Sequence, residues 1–447
     1  MWYSIFSTRI HICVKTRSRR ETISIMPHKK ITFIHTADIH FGMENYGRID
    51  PYTGIHSRLA DFAKALHFCV DVAIEKQVDF FLFSGDAYKT HHPSQTQQKL
   101  LMECFFRLYK EKIPIIIVVG NHDHPLTFGK ANALDLFGQL PLDGFYVIAK
   151  PEIITLQTKN GPVQIVGIPW PTRNTIALSA KHIKMTSQDI SEYITQAVTS
   201  IVANLAQKLD PTLPSVLAAH LTVASGIFSG SEKRAIYGSD PIFLPSQLAI
   251  FPFDYVALGH LHRHQQLNPA GTPPIVYSGS IERIDFGERK EEKGFCLVSI
   301  ENKRAEFEFI PGPMRSFVQI DVALHSDMSQ TDQIITAIER HSIDDAVVKI
   351  VYQLPVGQCD QVDLRKVQFA CRSAIDIAGI IPIGHTPARS QRIQGACVNM
   401  DLESLLHLYF DNKPEYKDRE DDLVKKTLQL WDTITQQQID LNQSGEG

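Results

Sequence analysis

The sequence predicts a layered α/β protein with more than one domain, and three observations carry that prediction. Its 447 residues exceed what one hydrophobic core normally organises. Its composition, 43% hydrophobic and 21% charged, is that of a globular chain rather than a disordered one. Finally, five polar motifs each follow a short apolar run that reads as a buried strand: Asp38-Ile39-His40 after ITFIHTA, Gly85-Asp86 after VDFFLFS, Gly120-Asn121-His122-Asp123 after IPIIIVV, Ala219-His220 after SVLAA, and Gly259-His260-Leu261-His262 after DYVAL. Ligand sites in α/β sheets collect where strands end, so these loops are expected to assemble one site.

The elements follow in order. The segment before Met26 carries Arg9, Lys15, Arg17, Arg19 and Arg20 against one acid, Glu21. Its main charges follow its apolar stretch, the reverse of a secretory signal. Residues 1–26 are therefore expected to be a disordered tail or a mis-assigned start. From Arg58 to Lys76, apolar residues recur at helical spacing (Leu59, Phe62, Ala63, Leu66, Val70, Ala73), and a strand follows at 78–83. Gln95–Lys110 reads as a second helix before a strand at 113–119, which completes β-α-β-α-β order. Gln188–Leu209 is a further helix, stopped by Asp210-Pro211 and Pro214. Runs with Gly and Pro turns at 141–170 and 274–310 point to more antiparallel sheet. Residues 27–312 thus form the first domain, ended by Pro311-Gly312-Pro313. Residues 313–385 read as a small β-α-β-α lobe, and 386–447 as a polar segment with helices at Leu402–Tyr409 and Asp421–Ile434.

Charge and cysteine content bound the function. A net charge of −4 means that any phosphate-rich partner must be met by local positive charge or by metal ions. Seven scattered cysteines without a Cys-x-x-Cys pair favour free thiols in a reducing, cytoplasmic compartment. No apolar run approaches the ~18–20 residues of a spanning helix, so no membrane insertion is expected.

The motifs offer carboxylates, an amide and imidazoles but no cysteine, a donor set suited to divalent ions working on phosphate. Two ions roughly 3.5–4 Å apart can clamp a phosphate and draw a nucleophile from water. Any one motif alone is ordinary: Gly-Asp is a turn, and Gly-Asn-His-Asp fits a polar turn. The ordered conjunction at strand ends is what points to a metal centre.

This set (D-x-H, G-D, G-N-H-D, H, G-H-x-H, over roughly residues 30–265) resembles the calcineurin-like metallophosphoesterase superfamily. The resemblance implies a layered α/β/β/α sandwich. It implies one divalent ion held by Asp38, His40, Asp86 and His262, and a second by Asp86, Asn121, His220 and His260, with Asp86 bridging. It makes His122 the transition-state stabiliser or general acid, and gives Asp123 the task of orienting His122 through its second nitrogen. His35 reads as a packed or supporting histidine, and Trp170 as packing.

Within that superfamily, HTADIHFG and IVYSGSIERIDFGERKEEKGF (275–295) resemble the SbcD-type DNA-repair exonucleases. The resemblance implies manganese as the ion, a DNA substrate, a DNA-capping lobe at 313–385, and an SbcC-type coiled-coil ATPase bound through 386–447. It also implies a homodimer. One departure stands out: many of these nucleases carry His three residues after the bridging Asp, where this chain has Lys89. His91 and His92 follow in the same loop. DNA contacts are expected from loop residues Lys89, His92, Lys130, Arg173 and Arg283, with Lys233, Arg234 and Arg289 nearby. The competing readings are a small-substrate phosphatase or phosphodiesterase of the same superfamily, and a DNA-end-binding scaffold.

Overall fold

The computed structural model describes residues 30–124, 131–139, 142–172, 186–230, 240–269, 271–384, 401–411 and 414–431. Two compact units emerge. The first comprises Met1–Gln319, Ile338–Lys349 and Gln368–Gly379; the second comprises Ile320–Ala337, Ile350–Val367 and Ile380–Gly447.

The elements up to the fourth helix are β1 (Ile31–Thr36), α1 (Ser57–Glu75), β2 (Phe80–Phe83), α2 (Gln95–Lys110), β3 (Ile115–Val118), α3 (Asp135–Gln139), β4 (Phe145–Ile148), β5 (Glu152–Thr158), β6 (Gly161–Ile168) and α4 (Ser187–Ala206). There follow β7 (Ser215–His220), β8 (Thr222–Val223), β9 (Ile242–Phe243), α5 (Pro245–Leu248), β10 (Tyr255–Gly259), β11 (Gln265–Gln266), β12 (Ile275–Tyr277), β13 (Gly294–Glu301) and β14 (Arg304–Pro311).

Two six-stranded sheets run β14-β13-β1-β2-β3-β4 and β11-β12-β10-β7-β6-β5. In the first, β1 to β4 are parallel and β13 joins antiparallel. In the second, β6, β7, β10 and β12 are parallel. The strands alternate, and each face finds its own core. Phe33, Phe80, Leu82 and Ile116 of one sheet pack with Val216, Ala218, Tyr255 and Ala257 of the other. Their neighbours Ile34, Phe81 and Ile115 face Leu59, Phe62 and Leu66 of α1 and Leu101 and Phe105 of α2. Leu217 and Val256 face Ile194, Val198 and Val202 of α4. Helix, sheet, sheet, helix is therefore the layer order, the α/β/β/α sandwich expected from the sequence.

The helices start where their caps sit. Ser94 and Gln97 make a reciprocal capping box at α2, and Thr186 and Asp189 make another at α4. A cation–carboxylate lattice ties the segment after β14 to α1. Arg315 Nε meets Asp61 Oδ2 at 2.5 Å, and Arg58 NH1 meets the same oxygen at 2.7 Å.

Beyond that lie β15 (Phe317–Ala323), α6 (Gln330–Glu339), β16 (Val347–Gln353), α7 (Leu364–Ala370) and β17 (Asp376–Ile383), whose strands form a sheet in the order β15-β16-β17. α8 (Leu402–Asp411) and a helical stretch over 420–431 complete the second unit. Among the described residues no helix is long and apolar enough to cross a membrane. The 1–26 segment falls outside them.

Candidate metal centre

All five motifs sit at or just past the C-terminal ends of parallel strands. Asp38, Asp86 and Asn121 follow β1, β2 and β3 of the first sheet; His220 and His260 close β7 and follow β10 of the second. The loops bond directly to one another. Asp38 N–H donates to Gly85 O at 2.9 Å, His40 N–H to Asp86 O at 3.1 Å, and His260 N–H to both oxygens of Asp38 at 3.1 Å. This close meeting bends the backbone. Asp38, His40, Asp86 and His260 all have positive φ (52°, 50°, 61° and 103°), a region non-glycine residues enter only at a cost. Four such residues in one place mark a site built for geometry rather than for stability. Gly120 has a different job: a Cβ there would overlap the Asp86 carboxylate.

The donor atoms converge. His40 Nε2 lies 3.6 Å from Asp86 Oδ2 and 4.0 Å from Asp38 Oδ1. His220 Nε2 lies 3.3 Å from Asp86 Oδ2 and 2.9 Å from Asn121 Oδ1, and His260 Nδ1 lies 3.1 Å from that same amide oxygen. In each of three groups, every residue offers one ligand atom within 4.8 Å of the others in its group: Asp38, His40 and His262; His40, Asp86 and His122; Asp38, Asp86 and His220. The structure thus brings together every residue the sequence proposed as a metal ligand, with Asp86 in the middle.

The electrostatics of the site call for positive charge. Burial alone would raise the Asp86 carboxyl, but the charges of His220, His122 and His40 hold it well below the usual carboxylate range. Burial would likewise lower His220, yet Asp86 outweighs it and lifts the ring to about 9. Burial, then repulsion from His220, pushes His260 down to about 3. His40 Nε2 is buried without a hydrogen-bond partner, an expensive state unless an ion takes its lone pair. Oxygen and imidazole donors, an orphaned ring nitrogen and a central carboxylate together fit two divalent ions.

A ring of outer contacts fixes the imidazoles. His220 Nδ1–H donates to Ser84 O at 2.7 Å, which leaves Nε2 facing Asp86. His262 Nδ1–H donates to Glu288 Oε1 at 3.0 Å. Sequence reasoning does not single out Glu288; its only signal is its place inside the 275–295 stretch. His35 is fully buried between the sheets, 3.1 Å from Tyr255 OH and 3.2 Å from Leu258 O, just ahead of the Gly259-His260 turn. Trp170 packs its ring 4.8 Å from that of His260.

Asp123 does not meet the ring of His122 as the resemblance implied. His122 is exposed, and its Nδ1–H donates to Lys89 O at 2.7 Å, not to Asp123. Asp123 is buried and accepts N–H bonds from Asp86 (2.9 Å), Ala87 (3.0 Å) and Gly120 (3.0 Å). Its carboxylate is spent on locking two ligand loops together, so it positions backbone rather than the His122 ring. Burial, then the Asp86 charge, lifts its pKa to about 7.

The expected DNA contacts divide. Lys89 and His92 are exposed, and the Lys89 carbonyl oxygen meets the ring of His122. Arg283 is held to the main chain: its terminal nitrogens donate to Arg315 O at 2.6 Å and Glu291 O at 3.0 Å, and its Nε is buried. Two main-chain carbonyls therefore restrain this guanidinium from reaching a phosphate. Lys130 and Arg173 lie outside the described residues.

A two-sheet sandwich with this donor set at its strand ends is the architecture of a phosphoester hydrolase. The family model described as calcineurin-like phosphoesterase matches residues 31–264, more than half of the chain, and the chain belongs to that family. Among solved structures it is similar to a dimetal phosphatase from Danio rerio (11% identity, TM-score 0.34, covering 63% of this chain and 98% of that one). It is also similar to a protein of Thermus thermophilus (12% identity, TM-score 0.34, covering 62% of this chain and 98% of that one).

Proposed function

We propose that the chain is a metal-dependent DNA nuclease, hydrolysing backbone phosphodiesters as an exonuclease and endonuclease, and that it serves as the nuclease subunit of an SbcCD-like repair complex. The observation that carries this reading is the 275–295 segment. It is the stretch that narrows the resemblance to SbcD-type nucleases, and it supplies Glu288 to the ring of His262. The stretch on which the finer resemblance rests thus also holds the ring of a proposed metal ligand.

Two divalent ions, manganese by the resemblance, would supply Lewis acidity toward the phosphate and a nucleophile drawn from water. Asp38, His40, Asp86 and His262 would hold one; Asp86, Asn121, His220 and His260 the other. His122, with Nδ1 committed to Lys89 O, has Nε2 left to stabilise charge on the phosphate or to protonate the leaving oxygen. Exposed Lys89 and His92 would meet the DNA backbone, and that binding weakens with salt.

We read 27–312 as the nuclease domain, 313–385 as a DNA-capping domain and 386–447 as the segment that binds an SbcC-type ATPase. Leu405, Tyr409, Leu430 and Trp431 are exposed apolar residues in that last segment, which supports a partner there. A homodimer in the cytoplasm completes the reading; the free cysteines support the compartment. The family match ends at residue 264, before the 275–295 segment, so a small-substrate phosphatase or phosphodiesterase is the competing reading.

The test is cleavage of end-labelled double-stranded DNA with manganese, magnesium or chelator, beside Asp86→Ala. Manganese-dependent degradation lost in the variant supports the nuclease. Hydrolysis of a small aryl phosphodiester with no DNA cleavage, even after an SbcC-type ATPase is added, favours the small-substrate enzyme.

A further inference from the structure

We propose that Glu288 and Lys293 form a buried clamp that fixes the tautomer and orientation of His262, and that this clamp sets the affinity of one ion position and not the other. Glu288 Oε1 takes the Nδ1–H of His262 at 3.0 Å. Its other oxygen accepts from Lys293 Nζ at 2.9 Å and from Ile284 N–H at 2.8 Å. Lys293 Nζ in turn donates to the carbonyl oxygen of His262 at 2.8 Å and to Glu291 Oε2 at 3.0 Å. One ion pair thus grips His262 twice, at the ring and at the main chain. The Glu288 and Lys293 side chains are both fully buried, with 0% exposure.

A completely buried carboxylate–ammonium pair is costly to desolvate, and a well-packed apolar pair would fill the same space at lower cost. What the charges add is direction. An imidazole presents a lone pair to a metal from one nitrogen only if the other holds the proton, and a carboxylate on Nδ1–H guarantees that state. With Nδ1 so held, Nε2 of His262 is left for the group it forms with Asp38 and His40. The backbone is pinned as well: the same His262 carbonyl accepts Ser280 N–H at 2.9 Å, and Lys293 O accepts Gly312 N–H at 2.8 Å. The second ion position draws on Asn121, on His220, whose own proton goes to Ser84 O, on His260 and on the shared Asp86. The side-chain bonds of Glu288 and Lys293 go to His262, Ile284 and Glu291, so loss of the clamp falls first on the position that uses His262.

This inference rests on the two-ion reading of the centre but not on DNA as the substrate. The experiment is calorimetric titration of the full-length, chelator-stripped protein with manganese alone, with the electron paramagnetic resonance of the bound ions as a second readout. Wild-type protein should take up two ions with a spin-coupled signal. Glu288→Gln should weaken one of the two by about 10–100-fold and leave the other within twofold, so that the coupled signal disappears at ion levels that still fill one position. A merely structural role would weaken both ions together or neither. The double variant Glu288→Gln/Lys293→Met leaves no lone buried charge, and decides the matter if the single variant does not fold. It should show the same selective loss. Two ions bound with wild-type affinity, or equal weakening of both, in a folded variant overturns the clamp. A wild-type protein that binds no manganese overturns the two-ion reading and the clamp with it.

Discussion

Nε2 of His220 lies 3.3 Å from Oδ2 of Asp86, although one residue ends a strand of the second sheet and the other follows a strand of the first. They meet because the ends of β2 and β7 are tied together: Ser84 O, just after β2, accepts the Nδ1–H of His220, the last residue of β7. The sandwich is thereby more than a support for the centre. Its two sheets are joined through the donor set, and their spacing, filled by Phe33, Leu82, Ala218 and Ala257, sets how far apart the donors stand.

Asp86 is the member of this set with the most to lose. Asp86→Asn keeps the shape and removes the charge that lifts His220 to about 9. The expected result is loss of metal retention and a fall in phosphoester hydrolysis of at least about 10²-fold, the scale for removing one electrostatic stabiliser from an active site. Metal analysis after gel filtration, read beside the rate, checks both. Full metal content with a normal rate would remove Asp86 from the centre.

His122 should separate binding from chemistry. Its ring is exposed and tied to Lys89 O, so His122→Ala leaves the other donors and the core in place. Ion content should stay as in the wild type while turnover falls by about 10²–10⁴-fold, the range for losing a positioned acid or base. Loss of an ion in this variant would make His122 a ligand instead.

Much of this is legible in sequence, for physical reasons. Apolar runs ending in Asp, His or Gly-Asn-His locate strand ends, and amphipathic spacing places α1, α2 and α4 to within a few residues. β17 escapes such reading because Asp376-Ile-Ala-Gly-Ile-Ile-Pro-Ile carries Gly and Pro and shows no alternation. The outer partners are harder to see. Asp123 and the ring of His122 are adjacent in sequence, but only the fold shows that backbone N–H groups claim the carboxylate. Arg283 looks like a free cation in sequence because nothing local reveals that the carbonyls of Arg315 and Glu291 reach it. Contacts between distant segments leave no periodic trace in the chain.

The turn at Gly120 offers a test of packing against the centre. An added Cβ would press on the Asp86 carboxylate and on its backbone N–H, groups already held by Asp123 and His122 N–H. Gly120→Ala should cost about 1–3 kcal/mol, as overpacking of a tight site does, and should weaken metal binding with it. Gly384→Ala, where a Cβ meets nothing within 4 Å, is the control. Thermal unfolding with and without manganese gives both quantities. An unchanged Tm and unchanged ion affinity for Gly120→Ala would mean that the loop yields freely.

Acid should unfold the metal-free protein partly through Glu288. Burial alone would raise its carboxyl, but Lys293, with help from the His262 hydrogen bond, brings it from the ordinary 4.5 to about 2. A carboxyl whose folded pKa is depressed stabilises the fold at every pH above its unfolded value. That contribution falls away as pH drops from about 4.5 through about 2, where the folded form also takes up its proton. The shift corresponds to about 3 kcal/mol at neutral pH. Glu288→Gln in chelator should therefore be less stable than the wild type at pH 7, and the gap should close as pH falls through that window. The variant's stability curve is flatter because it has no proton to gain at this position. Urea unfolding at a series of pH values from 7 to 3 reads the slope directly, and parallel curves for the two proteins would show that the Glu288–Lys293 pair carries no charge-dependent stability.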